Sequence, residues 1–438
     1  MILLSIATTT IISSVVVFLI VLFTLLSLLL FAKAKLSPSG KIKIKINEEK
    51  IIEVDGGGTL LSTLSESGIF LPSACGGGGT CVQCTCQVSS GGGSILPTEE
   101  PYFSRKEIAD NYRLGCQVKV REDMEIHIPE EIFGIKEWEA AVVSNYNVAT
   151  YIKELIIEIP EDMNYKAGGY LQIKIPRSEI KFADMDISAH PQDHPGESDK
   201  FEKDWEEGDF AIRNLVMKND EEIVRAYSMA SYPAEGRKIM LNIRIAAPPW
   251  DRDRNTWADI NPGIASSFMF NCKPGDTVTI SGPYGEFFIN DSDAEMLYIG
   301  GGAGMAPMRS HLYQLFKTLK AGRKVTFFYG GRSRAELFYI EHFRSLEKEF
   351  SNFKFYLVLS DAKENDNWKE MKDLSDQGDG FVGFVHQVVI DQFLSKHESP
   401  EDLELYFCGP PMMNQAALKM ADDWGIPDEN VRFDDFGV

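Results

Sequence analysis

Charged and apolar residues alternate strictly over Lys41-Ile-Lys-Ile-Lys-Ile46. A period of two puts one face in water and the other in a core, so this run predicts a half-exposed strand. Residues 51–54 supply its hairpin partner, and Gly56 to Gly58 end it. Thr59 then offers a cap for a helix over residues 60–67, stopped by Gly68. Farther on, apolar runs at residues 141–143, 152–159, 170–175, 239–245 and 277–281, punctuated by glycine and proline, predict a small antiparallel β-barrel. After Asp291 the pattern changes. Strands at 296–299, 325–329, 355–359 and 403–407 alternate with helices at 308–319 and 413–424, the signature of a doubly wound parallel sheet. Ahead of all this, residues 11–31 are apolar on every side, long enough as a helix to cross a hydrocarbon core of about 30 Å. The expected organisation is therefore multidomain, α+β and α/β. It comprises a transmembrane anchor at 1–35, a first domain at 36–130, a barrel at 131–288 and a parallel-sheet domain at 289–438.

Composition narrows the setting. A net charge of −21 over 438 residues argues against nucleic acid as a partner. A cleaved signal peptide competes with a retained anchor, since Ala32-Lys33-Ala34 offers a small-x-small site. The apolar run is longer than a normal signal core and no positive segment precedes it, which favours the anchor. Lys33, Lys35, Lys41, Lys43 and Lys45 follow the span and place the C-terminal part in the cytoplasm. Seven cysteines without a disulfide-like spacing fit the same reducing side. Residues 184–209 carry ten acids against two lysines. They read as a solvated loop, or as an insertion that docks a neighbouring subunit.

Four of the cysteines are clustered. Cys75, Cys81 and Cys84 lie close together and Cys116 follows about thirty residues on, the spacing of a [2Fe–2S] ferredoxin loop. Gly76 to Gly79 let the chain curl around a small anionic core because glycine reaches positive φ freely. The gap between the first two cysteines is one residue longer than the plant-type spacing. Zinc shares the Cys-x-x-Cys element, but its usual second knuckle is missing. Cys86, two residues past Cys84, is the credible substitute ligand. The strand, strand, helix and cysteine loop together look like the β-grasp fold of ferredoxins.

Gly300-Gly-Gly302-Ala-Gly304-Met-Ala-Pro307 follows a strand and opens a helix, where backbone N–H groups can meet a pyrophosphate. No acidic residue stands clearly at the end of the next strand; Arg332 and Arg334 do, and either could hold a 2′-phosphate. Arg225-Ala-Tyr227-Ser228 resembles the Arg-x-Tyr-Ser motif of the ferredoxin–NADP reductase superfamily. Residues 261–267, with Gly263, Ser266 and Ser267, resemble its second flavin-phosphate loop. The glycine loop with Gly302, Gly304 and Pro307 is similar to its nicotinamide-nucleotide loop, and Cys408-Gly409-Pro410 to its Cys-Gly-Pro motif.

By that resemblance Arg225 binds the FAD pyrophosphate, Tyr227 stacks on the isoalloxazine, and Ser228 and Cys408 arrange hydride transfer. Phe436 would shield the flavin until nicotinamide displaces it. The whole chain is similar to the family of F subunits of bacterial sodium-translocating NADH:quinone reductases. Membership implies NADH as substrate, FAD and [2Fe–2S] as cofactors, membrane subunits of a complex as partners, and quinone as the final acceptor. It also implies sodium transport by the complex and a single-pass place in the inner membrane. Two rivals remain at this level: the reductase of a soluble oxygenase, which needs no anchor, and a membrane-tethered ferredoxin-like carrier with a vestigial reductase fold.

Overall fold

The computed structural model describes residues 15–28, 41–207 and 211–436. Residues 15–28 form helix α1, whose side chains are exposed throughout. No helix of the described residues is long and apolar enough to cross a membrane. The expected span at 11–31 extends beyond α1 at both ends, onto residues outside the described ones. The rest packs as two units, one ending at residue 134 and the other beginning at 135, with residues 73–76 grouped in the second.

In the first unit β1 (Lys41–Ile46) pairs antiparallel with β2 (Lys50–Asp55), and Ile42, Ile44 and Ile46 enter the core while the lysines stay out. Helix α2 (Leu60–Glu66) starts at Thr59, whose hydroxyl accepts from the Ser62 amide at 3.1 Å. Strand β3 (Thr85–Ser90), helix α3 (Arg105–Ala109), β4 (Tyr112–Leu114) and β5 (Met124–His127) complete a sheet of order β2-β1-β5-β3-β4. Only the β1–β5 pair is parallel.

The second unit has two sheets. The antiparallel one is built from β6 (Lys136–Ala149), β7 (Ile152–Glu158), β8 (Tyr170–Ile175), β11 (Ile223–Ser228), β12 (Lys238–Arg244) and β15 (Thr277–Tyr284). Between them lie the ribbon of β9 (Ser178–Lys181) and β10 (Val216–Asn219), helix α4 (Glu202–Glu206), the short pair β13 (Trp250–Asp251) and β14 (Thr256–Trp257), and helix α5 (Ile264–Asn271). The strand order is β11-β8-β15-β6-β7-β12, and the two edge strands approach each other through one bridge, Met229 to Leu241. The expected barrel is thus a curled antiparallel sheet whose seam carries a single bridge rather than a continuous ladder.

The second sheet is parallel throughout, in the order β19-β18-β17-β16-β20-β21. Its elements are β16 (Met296–Gly301), α6 (Met305–Tyr313), β17 (Val325–Gly331), α7 (Ile340–Glu349), β18 (Phe353–Leu359), β19 (Phe381–Val382), α8 (Val385–Gln392), β20 (Glu404–Cys408), α9 (Pro411–Asp423) and β21 (Val431–Asp434). The central strands are buried on both faces, as parallel strands covered by helices must be. Where β19 leaves the outer strand β18 bare, side chains from α7 stand in for a neighbour. Glu347 accepts from the Phe355 amide at 3.1 Å and Arg344 donates to its carbonyl at 2.7 Å.

The acidic stretch at 184–209 is more than a solvated loop. Met185, Ile187 and Trp205 are buried in the core of the antiparallel sheet and Phe201 is buried beside His194, because apolar residues recur between the acids. Trp205 stacks on Phe270 at 5.7 Å and its indole N–H donates to the Thr150 carbonyl at 2.7 Å. Lys153, buried beneath, donates to the carbonyls of Asp186 and Phe270 at 2.5 and 3.0 Å, and burial pushes its ammonium down to about 8. Replacing Trp205 with Ala should cost about 3–5 kcal/mol by leaving a cavity and an unpaired carbonyl. Urea unfolding of the full-length variant checks this, and a loss under about 1 kcal/mol would show the insertion to be peripheral.

Candidate functional site

In the first unit the thiols meet where β3 begins and β4 ends. Cys84 precedes β3, Cys116 follows β4, and both are buried. The Cys116 sulfur, by hydrogen bonding, raises the Cys84 thiol far above its ordinary value; burial and the nearby Cys81 add to this. Gln117 donates to the Cys116 sulfur at 3.7 Å. No disulfide joins any of the described cysteines. Gly77 and Gly79 have φ of +91° and +80°, and Val82, between two of the cysteines, sits at +62°. That is a strained position for a β-branched residue, held by the loop around it. A Cβ on Gly77 would lie 4.0 Å from that of Cys116, so the loop wraps closely over this sulfur.

Among the described residues no three ligand side chains already converge on one point. Cys84 and Cys116 share a hydrogen bond. The candidate donor set is all sulfur, carried on a loop with positive-φ glycines, and its chemistry fits an iron–sulfur cluster. Cys75 lies half-buried in the turn at residues 74–77. Cys86 pairs in register with Arg113 and is pushed up to about 12 by burial. Its surroundings are an ion pair: Arg113 bonds Glu99 at 2.8 Å with both side chains buried, and Glu99 also accepts the Leu114 amide at 2.9 Å. Sequence reading did not find that pair.

In the second unit β11 carries Arg225, Tyr227 and Ser228. Residues 223–227 are half-buried along the whole strand, an edge left partly open. Arg225 donates to the Val224 carbonyl at 2.8 Å. Tyr227 packs against the core of the antiparallel sheet. Helix α5 starts at Gly263, where a Cβ would lie 2.6 Å from that of Ala246. Ser266 accepts from the Ala246 amide at 3.2 Å and donates to the Gly263 carbonyl at 3.1 Å. The Ser267 hydroxyl is buried without a partner, an orphan polar atom in the first turn of this helix. A helix N-terminus with two hydroxyls in its first turn suits a phosphate.

The glycine loop meets β20 directly. A Cβ on Gly304 would lie 2.1 Å from the Cys408 carbonyl oxygen, so only glycine fits there. Gly302, at φ +55°, faces open space, a cradle that a side chain would fill. Pro307 sits in the first turn of α6, where no amide bond is lost. Gly409 lies against Met413, and Pro410 caps α9.

Two of the expected residues are drawn together by one that was not expected. Ser228 donates to Asp434 Oδ2 at 2.6 Å, and Asp434 is the register partner of Cys408 on the neighbouring strand. Burial raises the Asp434 carboxyl to about 6, and it also drives the Cys408 thiol well above its ordinary value, helped by Asp434 and Asp435. The only signal in the sequence was the acidic pair in Phe433-Asp-Asp-Phe436. Phe436 itself is 48% exposed, while Phe433 stacks on Phe407 at 5.2 Å. The acid missing from the end of β17 is found past the end of β18. Asp361 bonds Lys363 at 2.5 Å and lies 3.6 Å from Arg332, so Arg332 is already partnered.

Three family descriptions match the chain: "2Fe-2S iron-sulfur cluster binding domain" over residues 44–121, "Oxidoreductase FAD-binding domain" over 207–289 and "Oxidoreductase NAD-binding domain" over 298–419. The F subunit of the Na(+)-translocating NADH-quinone reductase of Neisseria meningitidis serogroup B is 50% identical over 429 residues, covering 98% of this chain and 99% of its own. Its Marinomonas counterpart is 47% identical over 429 residues, with 98% of both chains covered. Among solved structures, an Amycolatopsis cytochrome P450 reductase aligns with a TM-score of 0.60 at 21% identity, covering 90% of this chain and 98% of its own. A ferredoxin reductase in carbazole 1,9a-dioxygenase aligns at 0.56 and 21%, covering 91% and 98%. These structural likenesses speak to fold alone.

Because the Asp434 pKa is raised in the folded state above the ordinary carboxylate value of about 3.9, the folded chain binds the extra proton. Stability from this group is therefore greatest below about pH 4 and falls as pH rises toward about 6. Asp434→Asn should flatten that part of the stability–pH curve. Urea titrations across the window check it, and an unchanged slope in the variant would refute the assignment.

Proposed function

The chain belongs to the family of F subunits of Na(+)-translocating NADH-quinone reductases, and from that premise we propose how its residues divide the work. It oxidises NADH and passes the electrons on within the Na(+)-translocating complex, using FAD and a [2Fe–2S] cluster. FAD, when bound, takes the hydride's two electrons together and releases them singly, as a one-electron cluster requires. The residues bind, orient and shield. The likeness to oxygenase reductases gives that rival no support beyond a shared fold.

On this reading Arg225 and the α5 N-terminus, with Gly263, Ser266 and Ser267, hold the flavin pyrophosphate, and Tyr227 flanks the ring. The loop of Gly302, Gly304 and Pro307 receives the NADH pyrophosphate, and Gly409 and Pro410 close the nicotinamide side. The observation that carries it is the Ser228–Asp434 bond of 2.6 Å beside Cys408, which links the flavin strand to the nicotinamide strands. Ser228 keeps its hydroxyl pointed by donating to Asp434. Cys408 keeps its proton and so adds no charge beside the reacting carbon. Arg332, the residue that could hold a 2′-phosphate, is engaged by Asp361 at 3.6 Å, which supports NADH over NADPH. Phe436, exposed near the end of the chain, covers the flavin face until nicotinamide arrives. Cys75, Cys81, Cys84 and Cys116 hold the cluster.

We place the chain in the inner membrane by one span over residues 11–31, with domains 36–130, 131–288 and 289–438 in the cytoplasm. The apolar, fully exposed α1 and the lysines after it support this. Membrane subunits of the complex take the electrons to quinone.

Anaerobic stopped-flow of the full-length chain with NADH should show flavin bleaching followed by loss of the cluster's visible absorbance. Bleaching alone would remove the cluster from the route. Arg225→Ala should lose FAD on purification, and full occupancy in that variant would overturn its role. Deleting residues 1–35 should release the chain from membranes; retention at low salt would overturn the single span.

A further inference from the structure

The helix that opens at the nucleotide loop is fastened to the flavin strand by buried polar groups. Arg309 and Ser310 lie on α6, about one turn past Gly304, and both are buried. One Arg309 nitrogen donates to the Ala230 carbonyl at 2.8 Å and to Glu235 Oε2 at 3.0 Å; the other reaches Glu235 Oε1 at 2.7 Å. The guanidinium also lies 4.5 Å from the Tyr313 ring centroid. Ser310 donates to the Ser231 carbonyl at 2.7 Å and accepts from the Gly168 amide at 3.3 Å. Ala230 and Ser231 stand two and three residues beyond Ser228. The loop at one end of α6 and the Ser228 hydroxyl are therefore joined by a short path of buried hydrogen bonds.

Burying a guanidinium for fold stability alone is a poor use of it, since an apolar side chain of similar volume is often as good. A planar fork does something an apolar chain cannot. It sets distance and angle to two acceptors at once. Here one acceptor is the backbone leaving the flavin strand and the other is Glu235, on the turn that follows it.

We propose that Arg309, seated on Ala230 and Glu235, is a positioning residue that fixes the nicotinamide loop relative to the flavin for hydride transfer. This rests on the hydride-site reading above and adds a determinant outside it. Hydride transfer is steep in distance, and a misplacement of about 1 Å can cost about a hundredfold in rate. NADH binding has no such dependence, so rate and affinity should separate.

The test uses the full-length chain in detergent, loaded with FAD and cluster, as wild type, Arg309→Lys, Arg309→Met, Glu235→Gln and Ser228→Ala. Flavin reduction is followed by stopped flow with NADH and with NADH deuterated at the transferred position. In Arg309→Met the limiting reduction rate should fall about tenfold to a hundredfold, with a larger isotope effect. FAD content should stay near one per chain and the NADH concentration at half-saturation should move less than about threefold. Arg309→Lys, which keeps the charge but loses the fork, should fall between, and Glu235→Gln should follow it. Lower thermal stability with unchanged rate and isotope effect in Arg309→Lys and Glu235→Gln, both retaining FAD, would overturn the proposal and leave Arg309 structural. If Ser228→Ala slows reduction while the Arg309 and Glu235 variants do not, the proposal alone fails. If Ser228→Ala has no effect either, the hydride-site reading falls with it.

Discussion

Charge buried in protein must be paired, and the junction between the two sheets of the second unit is built on that constraint. Arg309 answers Glu235, and Tyr339 donates to Glu154 at 2.6 Å while accepting from Asn242 at 2.8 Å. Tyr339 makes this contact from a left-handed backbone, φ +59°, at the start of α7. A greasy junction would tolerate sliding by a fraction of a side chain. A junction of forked and directional bonds does not, because any slip strands a polar group without water. The parallel sheet and β11 thus meet in one register, which the Ser228–Asp434 contact shares.

The first unit uses the same device at smaller scale. Glu99 and Arg113 are buried together, and Glu99 also takes the amides of Leu96 and Leu114. Leu114 ends β4, two residues before Cys116, so the ion pair anchors the strand end from which Cys116 follows.

Much of this was legible in the chain because the signals were local. Alternation located β1, and the run at 170–175 was found to the residue. Cysteine spacing and the glycine loop announced themselves because tight turns leave few residue choices. What escaped was long-range. The two-residue β19 is too short to carry a pattern and owes its form to the strand beside it. The acidic stretch hid Phe201 and Trp205 among carboxylates, where average polarity masked a few deep anchors. Asp434 needed a strand pairing that no local motif encodes, and Asp361 lay one strand farther than the usual rule expects.

One quieter feature governs how this protein behaves in company. A sheet edge is a row of unsatisfied donors and acceptors, and any extended chain nearby can complete it. On β18 that invitation is withdrawn: Glu347 takes the Phe355 amide and Arg344 takes its carbonyl, so a helix answers in place of a strand. The two side chains also bond each other at 2.9 Å, which keeps the cap seated. A nascent chain emerging beside the other subunits of its complex meets a crowd of exposed backbones. With this edge already spoken for, assembly is left to surfaces that can tell one neighbour from another.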